Sequence, residues 1–410
     1  MIFGLEGIKV VETAGAIAGP MAGRLLADWG AEIIHIEHPE RGDMSRGSMS
    51  RRQQVGKYGG RLILSDIDYG SQMLNRNKKS LTLDLSQDTG RQIIYRLSEN
   101  ADVFISNFRP REMKKFKLEY EDLIQINPRI IYANVNAYGR KGPEKDLPSW
   151  EHTSYYAKSG VHHVLQMPGS PPVQVPGGSG DNVAALALAL GIMTALFSRE
   201  RSGEGQEVDV SLFQTGIYAI ARDVSGALVT NQDRQPIERV DITNPLMNSY
   251  QTKDGRWLVV GISLPDTYWS SFCRFIRRED LEHDPRFASF DPRVENHAAL
   301  FHILEEVFRS STLDEWRIRL KDTGLPISPV QSLLEVITDP QAKANDFFVP
   351  LDHPAHGCMY VVANPIKLSK IPATIRVPAP EFSQHTEDIL LEHGYTWDDI
   401  VQFKEKAVIA

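Results

Sequence analysis

Within the first forty residues a short apolar run, Ile8–Val11, leads into Gly15-Ala-Ile-Ala-Gly19-Pro20. A helical stretch from Met21 to Trp29 follows, Gly30 stops it, and Glu32–Glu37 reads as a second strand. Strand, glycine loop, helix, strand is a βαβ unit. Strands joined by a helical crossover run parallel, so this one pattern commits the chain to an α/β fold. The loop lacks GxGxxG spacing, so the dinucleotide fingerprint is missing.

Short apolar segments recur at Ser80–Leu85, Asp102–Ser106 and Ile130–Asn134, with helix-like stretches between them. Gly42–Ser71 differs. It is polar and glycine-rich, and it carries Arg46, Arg51, Arg52 and Lys57. It reads as a surface excursion: a lid, a partner contact or a plain solvated loop. Asp181–Arg199 is apolar on almost every face and is expected to be a buried helix with Asp181 as its N-cap. Glu207–Leu212 then alternates as a strand.

A chain of 410 residues suits two domains. Polar Asn231–Gln235 marks the boundary, which gives a large domain over 1–230, a small domain over 231–329 and a return to the large domain over 330–410. In the small domain, Tyr250–Ile262 reads as a hairpin turning at Lys253-Asp254-Gly255, with helices at Thr267–Arg277, Ala298–Arg309 and Leu313–Asp322.

The net charge of −8 gives no support for binding nucleic acid. We read no secretory leader and no run of about 18 apolar residues that would span a membrane. Cys273 and Cys358 lie far apart and suit a reducing, cytoplasmic setting. His152, His162 and His163 lack supporting carboxylate spacing, so no metal is expected.

Read in order, several stretches resemble family III CoA-transferases, the formyl-CoA and carnitine CoA-transferase superfamily. They are LEGIKVVETAGAIAGPMAGRLLADWGAEIIHIEHPERGDMSR, LNRNKKSLTLDL, ADVFISNFRP, IYANVNAYGRKGP, PGGSGDNVAALALALGIMTALFSRERSGEGQEVDVSL and NPLMNSYQTKDGRWLVV. Each is weak alone; together they come in order and are spread over more than half the chain. The resemblance implies a doubly wound parallel-sheet large domain formed by both chain ends, with a smaller inserted α+β domain and an interlocked dimer. It also implies coenzyme A, carried as an acyl-CoA, and a carboxylic acid as substrates.

The chemistry that the resemblance implies is covalent. An enzyme carboxylate attacks the thioester and forms an anhydride, the CoA thiolate converts this to an enzyme thioester, and the acceptor acid completes the exchange. Such a carboxylate must be ionised and rigidly aimed, with backbone N–H groups for the oxyanion. The family nucleophile is an Asp after a Gly-Pro turn. Here the turn is Gly142-Pro143 and the matching residue is Glu151. Glu reaches roughly 1.5 Å further than Asp. Two readings therefore stand: a working nucleophile in a rebuilt site, or the relic of one in a supporting subunit. Two-subunit transferases such as the one that activates benzylsuccinate are of the second kind, so the partner is either a second copy or a sister subunit. Considered alone, Glu151 also reads as a plain helix N-terminal acid.

By motif position, the CoA pocket of the family maps onto Ala16, Ile17, His38, Leu74, Lys78, Asn107, Phe108 and Lys115, with Arg109 and Arg111 nearby. Asp181 matches the Gly-Asp pair of the family. His38 and Asn136 stand where relatives often carry Arg and Lys. Acyl-CoA racemases of the superfamily carry a His just before the matching acid. Here that residue is Trp150, with His152 two positions later, so racemase ranks third.

Overall fold

The computed structural model describes residues 3–47, 65 and 67–410. Most of the Gly42–Ser71 excursion, with Arg51, Arg52 and Lys57, lies outside the described residues. The opening pattern folds as β1 (Lys9–Glu12), the helix Ala18–Asp28 and β2 (Glu32–Glu37). Then come β3 (Lys79–Thr82), β4 (Val103–Ser106), β5 (Ile131–Asn136) and β6 (Gln206–Ser211). Their order is β3-β2-β1-β4-β5-β6, all parallel.

The alternation of side chains divides the core. Val10, Ile33, Ile105, Ile131 and Ala133 face the helices Ala18–Asp28 and Ser179–Ser202. Val11, Ile34, Phe104 and Tyr132 face the other way. They pack there with Ile93, Leu97 and a C-terminal group that includes Ile389, Leu390, Val408 and Ile409. Helices on both faces make the sheet doubly wound. Each fully buried Val, Leu, Ile or Phe side chain among these contributes about 1.5–3 kcal/mol.

The strand order reverses between β1 and β4. At such a switch point the loops leaving neighbouring strands part in opposite directions and open a crevice. The order is that of dinucleotide-binding sheets although the glycine fingerprint is absent, because strand order is set by helix packing and not by the loop.

The chain divides into two compact units. The first comprises Met1–His163, Val173–Gln232 and Asn345–Ala410, so both ends of the chain build it. Buried Arg76 braces it, bonding both oxygens of Asp28 and the Val362 carbonyl. The second unit comprises Val164–Pro172 and Asp233–Ala344. In it β7 (Met247–Gln251), β8 (Trp257–Gly261) and β9 (Ile327–Pro329) form an antiparallel sheet. The helices Pro265–Ile276, His297–Arg309 and Leu313–Leu320 cover it. Fully buried Trp316 anchors this core, its Nε1 donating to the Phe308 carbonyl at 2.9 Å.

Two local expectations need correction. The long helix starts at Ser179, and its N-cap is Gly178 at φ 88°, a left-handed conformation suited to glycine; Asp181 sits inside the first turn. Nor is this helix buried all round. Ala184, Leu188, Ile192 and Ala195 enter the core, whereas Val183, Leu186, Leu190, Met193 and Phe197 face outward. Among the described residues it is the one helix long and apolar enough to cross a membrane by length and composition. Its core contacts account for much of that composition.

Candidate active site

Glu151 precedes a π-helix, His152–Lys158. The hydroxyls of Thr153 and Ser154 both donate to the Trp150 carbonyl, and such back-bonding competes with regular helix geometry. π-helical turns are frequent at functional sites. The Glu151 side chain is buried, and it reaches a helix other than its own. Oε1 accepts the Gly178 N–H, and Oε2 accepts the N–H groups of Gly180 at 2.7 Å and Asp181 at 3.2 Å. The carboxylate thus closes the N-terminus of Ser179–Ser202, where free donors and the helix dipole favour an anion.

Close packing enforces the clasp. A methyl group on Gly180 would stand 2.6 Å from the Tyr155 ring and 3.1 Å from Glu151 Oε2. Tyr155 and Tyr156 meet edge to face at 4.9 Å, and Tyr156 bonds Ser179 through its hydroxyl. His152 and His162 lie against Tyr156, with ring centroids 6.3 and 5.4 Å away. Trp150 is exposed. Burial and the Glu151 charge push the Asp181 carboxyl up to about 7.

The first loop adjoins this shelf. Ile17 Cδ1 would lie 3.4 Å from a methyl group on Gly178. Ala16 holds φ 63°, uncommon for a residue with a side chain. Asn107, after β4, bonds Gly15 twice: its Nδ2 donates to the Gly15 carbonyl at 2.7 Å, and its Oδ1 accepts the Gly15 N–H at 3.1 Å. The two loops of the switch point are therefore tied together, and Ile17 links them to the glycine shelf under Glu151.

The other expected pocket residues have their own surroundings. Leu74 is a core residue. Lys78 is buried beneath the first loop, its ammonium on Glu12. His38 accepts at Nδ1 from the N–H groups of Glu40 and Arg41. Phe108 packs on Phe116, and exposed Lys115 lies over that same ring at 5.9 Å. Arg109 pairs with Glu112. Buried Asn136 donates to Asp209. Sequence reasoning missed the triple backbone clasp on Glu151. It also missed the buried partners of Lys78.

The family model described as CoA-transferase family III matches residues 5–386. The chain is 33% identical over 405 residues to an (R)-2-hydroxy-4-methylpentanoate CoA-transferase of Clostridioides difficile, covering 99% of each chain. It is 31% identical to a cinnamoyl-CoA:phenyllactate CoA-transferase of Clostridium sporogenes, covering 98% of this chain and 96% of the relative. Among solved structures, a CAIB/BAIF family protein from Brucella suis superposes with a TM-score of 0.82 at 27% identity. That match covers 96% of this chain and all of the other.

Proposed function

Because the chain belongs to CoA-transferase family III, we propose that it moves coenzyme A between carboxylic acids through covalent intermediates on Glu151. One observation carries this reading. The Glu151 carboxylate, at the nucleophile position, is buried and accepts three backbone N–H groups, with His152 Nδ1 4.0 Å from its Oε1. Backbone donors converging at that point also suit an oxyanion.

In the first step a Glu151 oxygen bonds to the thioester carbon, the C–S bond breaks, and CoA leaves as thiolate. The thiolate then attacks the Glu151 carbonyl carbon of the anhydride and releases the donor acid as carboxylate. The acceptor carboxylate attacks the resulting enzyme thioester, and CoA returns by the same two bond exchanges. No proton needs to move. Burial by Tyr155 and Tyr156 suits the exclusion of water that an anhydride demands. Both relatives named above act on acids carrying a 2-hydroxyl group, which makes 2-hydroxy acids the first acceptors to assay.

A second reading has its own support. Both Glu151 oxygens are already engaged, as in a static cap, which suits a supporting subunit beside a catalytic sister chain. In either case a partner chain fits the outward stripe of Val183, Leu186, Leu190, Met193 and Phe197, and our reading is a dimer in a reducing cytoplasm. For a racemase, Trp150 offers no proton acceptor where His is needed; exchange of the α-proton of an acyl-CoA would show otherwise.

The test is mass spectrometry of the chain incubated with succinyl-CoA and hydroxylamine. A hydroxamate on Glu151 supports the enzyme reading. Labelling confined to an Asp of a co-expressed sister chain overturns it in favour of the supporting subunit.

A further inference from the structure

At the carboxyl end of β1 lies a cluster of charges that no step above uses. The Lys78 ammonium donates to Glu12 Oε1 at 2.6 Å, to the Pro20 carbonyl at 2.8 Å and to Asn75 Oδ1 at 3.0 Å. An ammonium has three donors, so none remains for a ligand. Neither side chain of the pair is exposed. Glu12 Oε1 also lies 2.7 Å from His35 Nδ1. Burial alone would raise the Glu12 carboxyl, but Lys78 and His35 outweigh it and hold it below its ordinary value.

Three elements meet on this lysine: the end of β1, the first turn of Ala18–Asp28 and the last residue of the helix Tyr69–Asn75. Between Glu12 and Pro20 runs the Gly15–Ile17 turn. It carries the bonds to Asn107, the approach to Gly178 and the left-handed Ala16. A residue in that conformation persists only where its surroundings over-determine it. Gly23 is fitted to the same carboxylate, since a methyl group there would collide with Glu12 Oε2.

We propose that Lys78 and Glu12 form a buried clamp that holds the Gly15–Ile17 turn in its ligand-receiving shape, so that Lys78 is a positioning residue and not a phosphate ligand. The proposal rests on the reading of this site as a CoA site. A clamp acts on the whole ligand, whereas a phosphate contact acts on one charged group.

The experiment is calorimetric titration of the full chain with CoA and with 3′-dephospho-CoA. It compares the unaltered protein with K78M, E12Q and the double variant, at two salt concentrations and at a temperature where each is folded by circular dichroism. The clamp predicts that both single variants weaken both ligands by the same factor, about tenfold or more, the scale on which ångström-sized misplacement acts. The salt dependence stays that of the unaltered chain, and the double variant is no weaker than either single one. The proposal is overturned if K78M loses the preference for CoA over dephospho-CoA while E12Q binds normally. It is equally overturned if affinities hold and only melting temperatures drop. Should K78M fail to fold, E12Q keeps the lysine and decides alone. If the unaltered chain binds neither ligand, the CoA reading itself fails and this assignment with it.

Discussion

Asp181 gives its backbone N–H to Glu151 Oε2 at 3.2 Å, while its own carboxyl is repelled by the charge it helps to hold. One residue thus both stabilises and opposes the same anion. Its carboxyl rises from an ordinary 3.8 to about 7, through burial first and Glu151 second. In the window between those values the folded chain binds a proton that the unfolded chain releases. Stability therefore falls as pH rises through the window, and the loss is complete above about 7. Asp181→Asn removes the ionisation. We expect it to melt higher than the unaltered chain at pH 8, with the advantage shrinking as pH falls through the window and vanishing below about 3.8. Thermal unfolding across that range checks the sign.

Glu151→Asp shortens the arm by about 1.5 Å. The carboxylate then no longer fills the donors of Gly178 and Gly180. If Glu151 is the nucleophile, steady-state turnover should drop by about a hundredfold. Glu151→Gln should form no hydroxamate. Unchanged turnover of a reconstituted two-chain complex carrying Glu151→Gln would assign the chemistry to the sister chain.

Gly180→Ala drives a methyl group toward the Tyr155 ring and Glu151 Oε2. Neither can retreat without breaking the clasp. Overpacking of this kind costs about 1–3 kcal/mol, readable as a lower urea midpoint at unchanged slope.

Phe197→Glu places a charge in the outward stripe of the long helix, where Phe197 is 62% exposed in the single chain. Against a partner chain the charge would be desolvated without a counter-ion. On the proposed dimer, sedimentation should show Phe197→Glu as a smaller species than the unaltered chain at equal concentration, with the fold intact by circular dichroism.

The parallel sheet was legible because its signal is local: the short apolar run Ile130–Asn134 lies within two residues of the observed strand Ile131–Asn136, and Ser80–Leu85 within three of Lys79–Thr82. Motif order pointed to Glu151, Ile17 and Asn107, and the fold connects their surroundings: Asn107 bonds Gly15, Ile17 adjoins Gly178, and Gly178 donates to Glu151. What escaped was decided by contacts distant in sequence. Gly178 caps the long helix because Glu151, 27 positions earlier, supplies the acceptor. Lys78, beside polar Asn75, Arg76 and Asn77, is expected in the CoA pocket from motif position, and only Glu12, 66 positions away, shows that its ammonium is taken into the interior. The outward stripe of Ser179–Ser202 was hidden by composition, since an apolar residue carries no mark of which neighbour will cover it.

The first unit is sewn together from distant stretches of chain, and this fixes an order of events during synthesis. The outer edge of its sheet, β3, is covered by residues near the carboxyl end: His385 bonds Ser80, Thr386 bonds Thr82, and the Val408 carbonyl accepts the Asp84 N–H. Those partners leave the ribosome after the whole second unit has already emerged. Until then Leu81 and Leu83 lack the carboxyl-terminal part of their cover, Ile389, Leu390, Val408 and Ile409, and β3 keeps open hydrogen-bonding groups. Slowing translation of the last sixty residues is therefore expected to raise chaperone dependence more than slowing the first sixty.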